Sequence, residues 1–350
     1  MQRNISNEYL EKLPYKVTLC KEPSYRKNIS FKRIFSHKIF ANNVLKYLKK
    51  RKNPDIIYLV VPSLDVANKI SKYANRNGIP VVLDIQDLWP EAFKMALNIP
   101  VLSNIIFYPM LKKANTIYTR ADKIIAVSDT YKKRGIAFNK KDKSGLSAYI
   151  GINLSEVNKI LETNEINKPE DEFWITYVGT LSHSYDINLI TDAVNYLYKS
   201  GIKNISFKVI GTGPLESQFK TYAQSKKGKI DFLGYMEYEK MMKILNKSDI
   251  AVNPINKNSV SSIINKVGDY AAARIPVINT QNSEEYKNLL IQYNCGINCT
   301  TIEEVTTAIK KLYDNKKLRL EMSQNASKLA SEKFNRETVY EKIVNLLLNT

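Results

Sequence analysis

Short, nearly continuous apolar runs alternate along the chain with longer stretches whose apolar residues recur at helical spacing. The first kind reads as buried strands and the second as amphipathic helices. In the first half, strands are predicted at 16–19, 56–61, 81–85, 124–127 and 148–150, with helices at 31–50, 64–77 and 103–120. The polar stretch 162–172, which contains Pro169, reads as a linker. Beyond it the alternation resumes, with strands at 173–178, 205–210, 230–233, 250–252 and 276–279 and helices at 186–199, 215–225, 238–246 and 264–273. From Thr301 onward the pattern is mostly helical, ending in a helix at 336–348. Such alternation builds parallel sheets covered on both faces. The expected fold is therefore α/β, with two Rossmann-like doubly wound domains at 1–165 and 170–334. Helix 335–350 is expected to return to the first domain. Ligands of such sheets bind beyond the C-terminal ends of the strands, here in a cleft between the domains.

Composition adds boundaries. With 44% hydrophobic and 25% charged residues among 350, the chain has ordinary globular composition and is not wholly disordered. The longest nearly apolar window, 99–111, is broken by Ser103 and Asn104. It falls short of the roughly 20 apolar residues that span a bilayer. The first residues lack the apolar core of a signal peptide. The sequence thus predicts a chain that is neither exported by that route nor membrane-spanning. Cys295 and Cys299 lie close together without a companion histidine, which argues against zinc; an odd count of three fits reduced cytosolic thiols.

Charge changes the picture further. Residues 1–160 hold 29 basic and 12 acidic residues, whereas the remainder holds 24 and 22. The positive charge is therefore confined to the first half, which predicts an anionic partner there: an anionic membrane surface or nucleic acid. A merely solvated basic face is the plainer alternative.

Four segments could carry chemistry. Asp84, Asp87 and Glu91 follow an apolar strand in the run Asp-Ile-Gln-Asp-Leu-Trp-Pro-Glu, where they suit acid/base or electrostatic roles, or a helix cap. Gly179-Thr180-Leu181-Ser182-His183 follows another strand and offers backbone N–H groups to an anion; His183 also reads as a plain surface residue. Gly211-Thr212-Gly213-Pro214 lacks the third glycine of the dinucleotide fingerprint and reads equally as a tight turn. The most specific stretch is 259–278. There Ser261 and Asn265 precede a helix whose first turn carries Lys266, a position where a cation makes sense beside a bound anion. Asp269, one turn on along what reads as the same face, suits ribose hydroxyls or a surface pair with Lys266.

Taken together, these segments resemble retaining nucleotide-sugar glycosyltransferases of the GT-B fold, family four, in the bacterial surface-polysaccharide group similar to L-fucosamine transferases. The resemblance spans about residues 15–340. It implies a donor, most simply UDP-linked, held by the second domain, and a lipid-linked or saccharide acceptor on the first. It also implies no metal, no cofactor, and placement on the cytoplasmic side against the membrane. By position, Asp84 and Asp87 match catalytic-side acids, Lys266 the lysine facing the diphosphate, and Asp269 the ribose-binding acid. Gly179, Thr180, Gly211, Gly234, Ser261 and Asn265 complete the implied donor site. The chain departs from the pattern at Ser261, where an acid is usual, at Thr180, where an arginine is frequent, and at Arg274, where a glycine is usual. The family's first strand, glycine-rich loop, first helix and second strand find no counterpart. Competing readings are a non-catalytic nucleotide-binding partner subunit, a sugar-nucleotide epimerase and a basic nucleic-acid-binding protein, for which no motif is present.

Overall fold

The computed structural model describes residues 10–25, 30–61, 63–91, 100–163, 165–256 and 263–350. Among them two all-parallel sheets form, each wrapped by helices, as the alternation predicts. The first contains β1 (Ile57–Val61), β2 (Val81–Ile85), β3 (Lys123–Ala126) and β4 (Leu146–Ser147), side by side in chain order. The second has the order β10-β9-β8-β5-β6-β7, from β5 (Phe173–Val178), β6 (Ile205–Ile210), β7 (Lys229–Gly234), β8 (Ile250–Asn253), β9 (Val277–Asn279) and β10 (Gly296–Asn298). In the second sheet the strand order reverses between β5 and β8. That is the topological switch point, where a crevice opens above the strand ends.

Helices α1 (Phe31–Leu48), α2 (Leu64–Arg76) and α3 (Pro100–Arg120) accompany the first sheet. One sheet face buries Leu59, Val61, Leu83 and Ile85 against Ala67, Ile70, Ala114 and Ile117 of α2 and α3. Between β3 and β4 lies α4 (Asp129–Ile136), and α5 (Leu154–Glu162) leads to the second sheet. Around that sheet are α6 (Ile187–Lys199), α7 (Glu216–Gln224), α8 (Tyr238–Lys247), α9 (Asn265–Ala272), α10 (Glu284–Tyr293), α11 (Ile302–Asp314) and α12 (Lys316–Leu329). A π-helical turn, Ala330–Phe334, then leads into α13 (Arg336–Leu348). Helix α13 returns to the first sheet, where Val339, Ile343, Leu346 and Leu347 pack on Val82, Ile125 and Ala148.

The chain thus crosses between the sheets twice, and the crossings are tied together. Ile152 N–H donates to the Phe334 carbonyl (2.6 Å) and Arg336 N–H to the Ile152 carbonyl (2.9 Å). Gly151 makes this approach possible, because a Cβ there would come within 2.5 Å of Arg336 Cα.

Two predicted strands are corrected. Residues 16–19 form no strand: the segment runs along α1, with Thr18 Oγ1 2.9 Å from Tyr47 Oη and Asn43 Nδ2 donating to the Lys21 carbonyl (2.7 Å). Its apolar run is too short to hold a sheet position, and Leu19 is left exposed. The fourth strand lies at Leu146–Ser147 rather than 148–150, because β3 pairs Ile125 with Leu146 and Ala126 with Ser147. The apolar window 99–111 and the rest of α3 differ in burial. Ile105 and Tyr108 are 68% and 62% exposed, whereas Ala114, Ile117 and Tyr118 farther along α3 are core.

Candidate functional site

Three predicted glycines meet at the C-terminal ends of neighbouring strands β5, β6 and β7. Gly179 N–H donates to the Ile210 carbonyl (3.0 Å), and Gly211 N–H donates to the Gly234 carbonyl (2.8 Å). Gly179, Gly211 and Gly234 have φ of 146°, 128° and 69°, values that side chains other than glycine rarely adopt. A Cβ on Gly211 would overlap the Gly179 carbonyl oxygen, and one on Gly213 would overlap that of Leu181. The two loops therefore interlock through their bare backbones.

Lys266 enters this corner from the first turn of α9. Although it carries an ammonium group, its side chain is only 8% exposed. Nζ lies 4.1 Å from the ring centroid of Tyr177 and 3.8 Å from that of Tyr185, yet it has no hydrogen-bond partner among the described residues. A Cβ on Gly179 would stand 2.5 Å from that Nζ, so the glycine keeps the space beside the cation open. Burial pushes the Lys266 pKa well below the ordinary lysine value. Cation–π contacts with two rings offset this in part. Ile264, the residue capping α9, contributes no side-chain bond to the first-turn N–H groups. A buried cation without a counter-ion among the described residues, in the first turn of a helix beside the switch point, fits an anionic ligand.

Asp269 points elsewhere. On α9, Lys266 shares its face with Tyr270, whose hydroxyl accepts from Val178 N–H (3.1 Å) and donates to the Val252 carbonyl (3.1 Å). Asp269 shares its face with Asn265, and the two line a cavity of about 350 Å³ with Asn153, Glu156, Tyr238 and Arg336. The same-face surface pair with Lys266 is thus corrected: the side chains diverge around the helix, and no ion pair joins them among the described residues. Tyr238 Oη donates to Asp269 Oδ1 (3.0 Å), while burial raises the carboxyl pKa to about 6. The ionised carboxylate accepts from two vicinal hydroxyls more strongly than the neutral acid, one of whose oxygens has become a donor. Affinity for a ligand that donates hydroxyls to this carboxylate is therefore expected to fall as pH drops through about 6. Asp269→Asn should bind more weakly and lose that pH dependence, which titrations from pH 5 to 8 would check. Folding stability moves oppositely: the folded pKa exceeds the unfolded value of about 3.9, so this group lowers stability as pH rises across that interval.

Asp84 and Asp87 lie at the C-terminal end of β2, both already held by neighbours. Asp84 is buried and accepts from Tyr58 Oη (2.8 Å) and Gln86 Nε2 (2.9 Å); burial raises its pKa. Asp87 accepts from Leu88 N–H (2.9 Å) and Trp89 Nε1 (3.1 Å). Trp89 is in turn covered by His37, stacked 6.0 Å away, and by the Arg33 guanidinium at 4.7 Å. Glu91 pairs with Arg134 (2.7 Å). Thr180 is exposed, its carbonyl taken by Tyr177 Oη (2.9 Å), and His183 is likewise exposed. Ser261 lies outside the described residues. Arg274 occupies a left-handed position, φ 61°, where a glycine would sit without strain, and its guanidinium donates to Asn158 Oδ1 (2.9 Å).

Sequence reasoning missed several contributors. Tyr177 and Tyr185 read as ordinary strand and loop residues, and only the fold brings them around Lys266. Tyr238 and Arg336 reach the Asp269 cavity from α8 and α13. A buried amide ladder also ties the strand ends beside the switch point. Asn253 Nδ2 donates to Asn279 Oδ1 (2.9 Å), and Asn279 Nδ2 to Asn298 Oδ1 (2.8 Å). The final asparagine or glutamine of several apolar strands is the signal that could have found it.

Residues 158–329, which contain Gly179, Thr180, Gly211, Gly234, Asn265, Lys266 and Asp269, match the family described as glycosyl transferases group 1. The chain is 27% identical over 248 residues to an uncharacterized glycosyltransferase of Methanocaldococcus jannaschii, an alignment covering 67% of this chain and 60% of that protein. The chain thus spans less than two thirds of the relative's length. Among solved structures it resembles Anabaena HepE in complex with UDP, with TM-score 0.66 and 14% identity, covering 89% of this chain and 82% of that one. It also resembles sucrose-phosphate synthase from Thermosynechococcus elongatus, with TM-score 0.67 and 14% identity, covering 92% and 80%. These likenesses show the GT-B fold: two parallel-sheet α/β domains facing each other.

Proposed function

We propose that the protein is a retaining glycosyltransferase that moves a sugar from a nucleotide-sugar, UDP-linked in the simplest reading, to a lipid-linked or saccharide acceptor in surface-polysaccharide assembly. The observation that carries this reading is the ammonium of Lys266, without a hydrogen-bond partner among the described residues and buried between Tyr177 and Tyr185 beside the bare backbone of Gly179. The match over residues 158–329 and the archaeal relative support transferase chemistry, and the UDP complex of HepE supports the choice of nucleotide.

The residues divide the work as follows. A leaving nucleoside diphosphate gains negative charge as its bond to the sugar breaks. Lys266 and the N-terminus of α9 meet that charge with a cation and backbone dipoles that the chain itself supplies, which supports a metal-independent transfer. Asp269 accepts from the ribose hydroxyls. Asp84 and Asp87, on the opposite rim, supply negative potential toward the electron-poor sugar carbon.

The first domain faces the acceptor. Its excess of basic residues, and the exposed Ile105, Ile106 and Tyr108 of α3, support docking on the cytoplasmic face of an anionic membrane. No helix among the described residues is long and apolar enough to cross one.

Calorimetric titration of the full chain with UDP tests the reading. Saturable one-to-one binding in the micromolar range is expected. Failure of UDP, GDP and ADP alike to bind would remove the transferase reading.

A further inference from the structure

The rims of the cleft meet at one carboxylate. On the first domain, Ser128 lies two residues past the end of β3, and its hydroxyl caps α4 by accepting from Tyr131 N–H (3.1 Å). The two preceding N–H groups of α4 remain for another acceptor, and Glu285 of the second domain fills both. Its Oε1 accepts from Asp129 N–H (2.6 Å) and its Oε2 from Thr130 N–H (3.1 Å). Thr130 Oγ1 also donates to Oε2 (3.0 Å), and Tyr149 Oη to Oε1 (2.9 Å). Glu285 itself sits in the first turn of α10, just past the C-terminal end of β9. Three donors from Asp129 and Thr130 of the first domain thus converge on one second-domain side chain, joined by Tyr149, whose ring packs in the core of the second sheet. A negative charge at a helix N-terminus is favourable, and here helix and charge belong to different domains.

We propose that Glu285 is a positioning residue that holds the two rims of the cleft in register, fixing the separation between the nucleotide site and the acceptor-facing domain. Its importance for transfer rests on the glycosyltransferase reading above; the latch itself rests on these contacts alone. The nucleotide corner at Lys266 belongs wholly to the second domain, so loosening the rims leaves nucleotide affinity in place while changing how the domains meet.

The test uses the full chain and three variants: Glu285→Ala, Glu285→Gln, and the pair Thr130→Cys with Glu285→Cys. Small-angle scattering reads the radius of gyration and UDP calorimetry reads the site. Glu285→Ala is expected to enlarge the radius of gyration and broaden the distance distribution, with UDP affinity within about twofold of the native chain. Glu285→Gln keeps an acceptor oxygen and should restore part of the native dimensions. Oxidation of the cysteine pair should restore them in full, and reduction should release them. Unchanged dimensions in both Glu285→Ala and Glu285→Gln would overturn the proposal, as would an oxidised pair no more compact than its reduced form. A native chain that binds no UDP would count against the transferase reading, while the scattering comparison would still judge the latch.

Discussion

Lys266→Met is expected to raise the melting temperature of the free protein and, in the same molecule, to remove most of its affinity for UDP. The two effects have one cause. The native ammonium is buried without a hydrogen-bond partner or counter-ion among the described residues, so the folded chain bears an uncompensated desolvation cost. Methionine fills the same slot between Tyr177 and Tyr185 without charge. Replacing buried charge with well-packed apolar volume is neutral or stabilising by up to about 4 kcal/mol. A hydrogen bond to a charged group is worth roughly 1.5–3 kcal/mol, so affinity should drop about 10- to 150-fold. Linkage gives a second signature. The folded pKa of Lys266 lies below the unfolded value of about 10.4, so the unfolded chain binds more protons between the two and native stability rises with pH there. The methionine variant should lose that slope. A variant less stable than the native chain, with unchanged UDP affinity, would contradict the assignment.

Gly211→Ala should act in the opposite direction on stability. At φ 128° the backbone sits where side chains are strained, and the new methyl would overlap the Gly179 carbonyl oxygen. Strain of about 1–3 kcal/mol and over-packing of similar size combine to lower the melting temperature by roughly 5–15 °C. Because β5 and β6 would have to part at the nucleotide corner, UDP binding should be lost too. Gly201→Ala is the matched control. Its φ of 103° is also unfavourable, but a Cβ there meets nothing within 4 Å. It should lose stability modestly and keep UDP affinity. Equal UDP binding by the two variants would show that the loops do not interlock as described.

What the sequence revealed of this site follows from distance along the chain. Lys266 and the glycines at 179 and 211 were legible because each depends on a local pattern, a strand followed by glycine or a helix start that carries a cation, whereas Gly234 entered only through the family resemblance. Their common corner was legible through strand alternation, since parallel sheets place such ends on one edge. Tyr177 and Tyr185 were not, because an aromatic strand residue reads the same whether it fills a core or cages a cation. Glu285 was invisible for a stronger reason: its donors lie as many as 156 positions away, in α4 and beyond β4. Asp84 shows the converse. Its place after an apolar run suggested an acid free for chemistry, whereas Tyr58, 26 residues earlier, already donates to it. The short strand β10 escaped notice because glycine and asparagine hold two of its three positions.

The return of α13 to the first sheet has a consequence for synthesis. Strands β1 to β4 are complete once residue 147 has been made, yet the face bearing Val82, Ile125 and Ala148 stays uncovered until Val339 and its neighbours leave the ribosome. Nearly all of the second domain is translated in between and can close its own core first. The half of the protein that is born first is therefore finished last, and its bare apolar face must be kept from other nascent chains for most of the time the ribosome is at work.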